Sequence, residues 1–350
     1  YAVSSLISGR YADRYGPRPI LIVGGLLVGA GFVMCYWLQT INQMRLFFAV
    51  IGLGTGVTWT VPTSTVLRWF KKRQGFALGI VTAGVGFGAL IFAPLLNYLI
   101  QSYGWRQTFL ITGILSFGIV AFSSAFFIYS PEKLGLKPYG ESLTGQKRVT
   151  ENWTTRDAVR MLPFWSLIVM ASIGAFGFNA ISVHLIPYTT DMGILSTAAA
   201  AAQGLIGGFS ILGRLGIGFI AERWGWKAGL VMAFAATCAS TVWLLLLSNL
   251  PMLYAFTFVF GVAHGLRMPS QTGIMGTYFG TRSAGELIGI LNAIGTGVGA
   301  MGPYFAGLVF DRNGSYVPAL YVIVLVYVVS VFLALTFRPQ LGFVSSGSQG

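Results

Sequence analysis

Two arginines and a histidine stand where a strongly apolar sequence should carry no charge. Arg214 lies in GFSILGRLGIGFIAE, eight residues before Glu222, while His264 and Arg267 share the stretch GVAHGLRMPSQ. A guanidinium in hydrocarbon costs about 2.5–3.5 kcal/mol on insertion scales, so an ionisable residue inside a span faces a cavity or a partner by default. The planar fork of arginine suits a carboxylate bidentately. Arg214 is therefore the first candidate for binding a small organic anion, with Arg267 assisting. His264 lies three residues from Arg267 on one helix face and belongs to the one residue type that ordinarily titrates between pH 5 and 8, which makes it the proton-coupling candidate. Asn179 and Thr60, polar and well inside their spans, complete the candidate substrate-binding set. Structural readings compete with each of these. Arg214 could snorkel to headgroups or pair with another helix, and His264 could be hydrogen-bonded to a neighbour.

Positioning such residues requires membrane helices. Hydrophobic residues make up 55% of the 350 and charged residues 9%, with a mean hydropathy of +0.74. A soluble domain could not cover its surface with so few charges. Runs of about 20 apolar residues, each able to cross roughly 30 Å of hydrocarbon, recur at 19–38, 44–67, 75–99, 106–129, 163–188, 195–220, 228–248, 251–277, 283–309 and 315–336. A partial span at 1–10 precedes them. The fold class is thus an all-α, multi-pass membrane protein. The expected organisation is an N-terminal helical half at 1–129, a polar linker at 130–162, a C-terminal half at 163–337 and a tail at 338–350.

Charge sorts the connections into two sets. One set of loops carries 17 Lys and Arg, including Arg10, Arg14, Arg18, the Arg68–Arg73 cluster and the linker; the opposite set carries Arg45, Arg106 and Arg312. The positive-inside rule makes the first set cytoplasmic, together with the central loop and the C-terminus. The expected location is the cytoplasmic (inner) membrane, with the lipid bilayer as surroundings and the monomer as the working unit. The formal charge of +13 follows this bias and carries no nucleic-acid module, so nucleic acid is excluded as a partner. Cys35 and Cys238 both fall in apolar spans and read as core thiols, leaving no disulfide framework and no metal site. A nucleotide-cradling Gly-rich loop ending in Lys-Ser/Thr is absent from the sequence, and no cluster of nucleophile, acid or base points to an enzyme. No cofactor is expected.

An internal repeat organises the spans. Gly9, Asp13, Arg14, Gly16 and Arg18 have the spacing G-x-x-x-D-R-x-G-x-R, and Gly218, Glu222, Arg223, Gly225 and Lys227 repeat it 209 positions later. Parallel repeats related by an axis along the membrane normal are a plan of secondary transporters. With these two motifs the chain resembles the major facilitator superfamily, whose loop signature follows the second and eighth helices. The resemblance implies two six-helix halves, with the first helix and most of the second lying before Tyr1. It also implies that the motif is a conformational latch between halves and not a substrate site.

A narrower resemblance lies in WFKKRQGFALGIVTAGVGFGALIFAPL followed by GWRQTFL. Phe70, Lys71, Arg73, Ala77, Gly79, Ala83 and Gly84 are similar to the fifth-helix signature of monocarboxylate transporters, and Val183–Gly193 (VHLIPYTTDMG) is similar to bacterial carboxylate carriers. This implies transport of small carboxylates, often with protons, and an Arg at the position of Arg214 as carboxylate ligand. That family usually carries an Asp four residues earlier for proton coupling, where this chain has Ser210. A hydroxyl cannot cycle a proton at physiological pH, so His264 is the replacement candidate. The expected function is a secondary active transporter of a small organic anion, working by alternating access. The alternatives are an exporter of hydrophobic or cationic compounds and a non-transporting sensor with the same fold.

Overall fold

In a computed structural model, residues 1–140, 153–280 and 283–337 are described; the expected tail at 338–350 and the middle of the linker lie outside them. The chain is helical almost throughout: α1 (Ala2–Tyr15), α2 (Pro17–Met34), α3 (Ile41–Trp69), α4 (Gln74–Ser124), α5 (Thr155–Ala158), α6 (Leu162–Asp191), α7 (Ser196–Leu245), α8 (Leu250–Tyr278), α9 (Ala284–Gly299), α10 (Met301–Asn313) and α11 (Val317–Thr336). Thr40 caps α3 through a reciprocal box with Gln43, and Asn249 caps α8 by accepting from the Met252 amide.

Among the described residues, eight helical stretches are long and apolar enough to cross a membrane, against ten full spans expected. The difference lies in α4 and α7. At 51 and 50 residues and 1.5 Å per residue, each would run about 75 Å if straight, more than twice the hydrocarbon thickness. Each is divided by one non-helical glycine, Gly104 (φ 79, ψ 161) in α4 and Gly225 (φ 82, ψ 164) in α7. The eight stretches therefore hold ten passes. The expected span at 283–309 is interrupted between α9 and α10, just before Pro303, whose missing N–H cannot bond back to the preceding turn.

The charged motif also differs from a loop. Helix α1 continues through Asp13 and Arg14 to Tyr15, and the turn is the single residue Gly16 (φ 91, ψ 169) before Pro17 opens α2. Gly225 turns the second copy with nearly the same dihedrals. This backbone region is essentially restricted to glycine, so the sequence repeat is also a conformational repeat.

The two halves meet along α1–α9 and α4–α7. Gly9 approaches α9 so closely that a side chain there would overlap the Gly285 carbonyl oxygen, and Gly218 meets the backbone of Phe76. A shift of 209 carries Gly9 to Gly218 and Phe76 to Gly285, so the seams are copies of one another. These close approaches lie at the end that carries the basic loops. Leu67 also packs on Gly276, and Thr60 on Asn292. Outside the seams, large apolar side chains such as Phe122, Phe126, Tyr304 and Phe332 are exposed, as a lipid-facing surface requires.

Replacing Gly225 with Ala should destabilise the protein by about 1–3 kcal/mol, the usual cost of a side chain in that region. Thermal unfolding in detergent checks this: Gly225→Ala lowers the melting temperature, while Gly118→Ala, at a helical glycine with open space around it, does not.

Candidate functional site

The seam is locked at its basic end by Asp13. Its Oδ1 accepts from Arg68 Nη2 at 2.5 Å, and its Oδ2 accepts from the Glu286 amide at 3.1 Å. That amide lies in the first turn of α9, where the helix dipole favours an anion. Tyr129 donates its hydroxyl to the Asp13 carbonyl at 2.7 Å and holds its ring under the Arg68 guanidinium at 4.3 Å. Glu286 in turn accepts from Thr155 of α5 at 2.7 Å. The latch thus joins α1, α3, the linker and α9.

The rest of the motif divides by role. Arg18 donates to the Phe127 carbonyl at 2.6 Å and Lys227 to that of Leu335 at 2.7 Å, nearly equivalent bonds in the two halves. Arg14 is exposed beside the Tyr15 ring, and Arg223 lies by Phe219 and Trp224. Glu222 is exposed. The second copy has Thr277 where the first has Arg68, so it lacks the cation of the latch.

Arg214, His264 and Arg267 converge in the C-terminal half. Helices α7 and α8 cross in backbone contact: a side chain at Gly213 would meet the Leu266 amide at 2.9 Å, and one at Gly265 the Arg214 amide at 3.0 Å. This crossing is adjacent to Arg214 and flanked by His264 and Arg267. Arg214 is 3% exposed and Arg267 4%. The charge of Arg267 acts on Arg214, and both charges act on His264. Arg214 Nη1 donates across the seam to the Thr82 carbonyl of α4 at 2.9 Å, while its Nε is buried with no partner. His264 stacks on Phe178 with ring centres 3.6 Å apart, and its Nδ1 is likewise unpartnered.

Among the described residues, no acid pairs with either arginine. Asp13, Asp191, Glu222, Glu286 and Asp311 lie near helix ends, and Glu132, Glu141, Glu151 and Asp157 lie in the linker. Among the described residues the one ion pair is Arg68–Asp13. An unpaired buried charge is costly, and a neighbouring anion would offset that cost.

The two remaining candidates stand apart from this pair. Thr60 is fully buried and accepts from Asn292 Nδ2 at 3.4 Å, a contact between halves. Asn179 packs against Gly299 at the α9–α10 break. His184, near the other end of α6, is engaged by the Pro303 carbonyl at 2.9 Å and the Tyr316 hydroxyl at 3.3 Å.

Sequence reasoning missed Gly174, which abuts Arg267, and Gly177, which abuts Tyr327; Tyr327 in turn acts electrostatically on Arg267. The only signal was weak: a tyrosine within an aliphatic run and two glycines three apart. It also missed the Thr82 carbonyl, because a backbone acceptor leaves no trace in residue type.

Comparison with known proteins bears on the family and the fold. The chain is 24% identical over 346 residues to monocarboxylate transporter 12 of Rattus norvegicus, covering 91% of this chain and 70% of that one. It is 26% identical over 290 residues to the oxalate:formate antiporter of Oxalobacter formigenes, covering 79% and 66%. Its fold is that of the solved proton:xylose symporter, with a TM-score of 0.79 at 13% identity, covering 97% of this chain and 83% of that one. The family model described as Major Facilitator Superfamily matches residues 1–249 and 217–348. With its repeated motif, paired seams and ten membrane passes, the chain belongs to the major facilitator superfamily.

Proposed function

We propose that this transporter carries a small organic anion of the monocarboxylate type by alternating access, with Arg214 as the carboxylate ligand. The observation that carries the reading is the buried pair Arg214 and Arg267 in spans that contain no acid. A carboxylate supplies the missing charge and meets the unpartnered Nε of Arg214. Arg267 assists, and Asn179 and Thr60 remain polar positions that cargo could meet as the halves move. The relatives named for monocarboxylates and for oxalate and formate support the same class of cargo.

His264 is the group we assign to proton coupling. It lies in the positive field of both arginines, and a bound carboxylate offsets that field, which links anion and proton binding. The surrounding membrane is the cytoplasmic one, with the basic loops, linker and C-terminus on the cytoplasmic side, and the monomer is the working unit. In this orientation the latch at Asp13 closes the cytoplasmic end. Arg214 then bridges the halves through Thr82, so a cargo carboxylate competes for the same guanidinium that helps hold the seam.

In proteoliposomes, labelled lactate should accumulate faster with an inward proton gradient. Arg214→Gln should reduce apparent affinity about 10- to 100-fold, as expected for loss of a charge-assisted hydrogen bond. Uptake unchanged by this substitution would refute the assignment. Closure has its own test. Gly9→Val should push the basic ends apart, because the added side chain meets the Gly285 backbone. Spin labels at the exposed positions Tyr15 and Leu162 then report a longer distance by pulsed electron resonance; an unchanged distance contradicts the seam described above.

A further inference from the structure

We infer that Arg267 and Tyr327 form a second carboxylate subsite beside Arg214, so that the site accepts a short dicarboxylate. The inference rests on the anion reading above and extends it. Tyr327, on α11, is fully buried, and its hydroxyl has no hydrogen-bond partner. It lies within electrostatic reach of the Arg267 guanidinium. A buried hydroxyl left unpaired is costly, and a hydroxyl donates readily to a carboxylate.

Helix α6 makes the space for both groups. A methyl at Gly174 would lie 2.6 Å from Arg267 Nη1, and one at Gly177 would lie 2.5 Å from the Tyr327 hydroxyl oxygen. Any larger residue at either position would displace a polar head. Two glycines one turn apart therefore seat a guanidinium from α8 and a phenol from α11 on the same face of α6. Arg214, His264 and Tyr327 each keep an unpartnered buried polar atom, and all three act on or are acted on by the charge of Arg267. One carboxylate on Arg214 leaves the second guanidinium unbalanced. Two carboxylates on one short molecule balance both.

The test measures uptake of labelled malonate, succinate and lactate by the purified protein in proteoliposomes. At least one dicarboxylate should be transported. Arg267→Gln and Tyr327→Phe should each lower the ratio of kcat/KM for that dicarboxylate over lactate, the former by about tenfold, the scale of one charge-assisted hydrogen bond. Gly174→Ala should lower the same ratio. A ratio unchanged by both Arg267→Gln and Tyr327→Phe overturns the subsite. Transport of lactate alone, still dependent on Arg214, also overturns it while leaving the anion reading intact; failure to transport any carboxylate defeats both. Should the variants not fold, the unmodified protein decides: malonate or succinate must raise its melting temperature more than lactate does at equal concentration, and equal or smaller shifts overturn the proposal.

Discussion

Two guanidinium groups buried among apolar helices, with no carboxylate inside either span that carries them, set the terms for the rest of this structure. Buried charge is tolerated when it is paired or when it serves a ligand. Here the acids among the described residues sit near helix ends and in the linker, and in the proposed function the pairing comes from the cargo. The close crossing of α7 and α8 at Gly213 and Gly265 fixes Arg214 and Arg267 relative to one another. Rigid placement of both cations keeps the charge imbalance from relaxing.

The repeat shows how such a site arises from a symmetric frame. Ser5 and Arg214 occupy equivalent positions on equivalent helices, 209 residues apart. Ser5 bonds to its own helix at Ala2 and reaches the Gly289 carbonyl at 3.5 Å. Arg214 makes the corresponding reach across the other seam, to Thr82. The latch is asymmetric in the opposite sense, since Asp13 has Arg68 and Glu222 has only Thr277 at the matching place. One half thus supplies the charged lock and the other the charged site.

Much of this was legible in the amino-acid sequence. Span positions followed from apolar run length, which the membrane thickness fixes, and the repeat followed from glycines and charges whose spacing the turn geometry fixes. Asp13 of that motif meets both a helix N-terminus, at Glu286, and an arginine, Arg68. The motif was less legible as a turn, because only the dihedrals of Gly16 and Gly225 show that the turn is one residue long. Arg214 and Arg267 stood out as charges in apolar runs. Tyr327 did not, since a tyrosine among aliphatic residues is ordinary for a membrane helix and its relation to Arg267 is a matter of packing between α6, α8 and α11. Thr60 and Asn179 show the same limit: polarity marked them, but packing decides what they touch.

The central claim is that the site requires negative charge in its ligand. Titration calorimetry of the purified protein in detergent, comparing lactate with its neutral amide, tests it most directly. The account predicts measurable binding of the carboxylate, none of the amide, and loss of carboxylate binding in Arg214→Gln. Equal binding of the acid and the amide would contradict it.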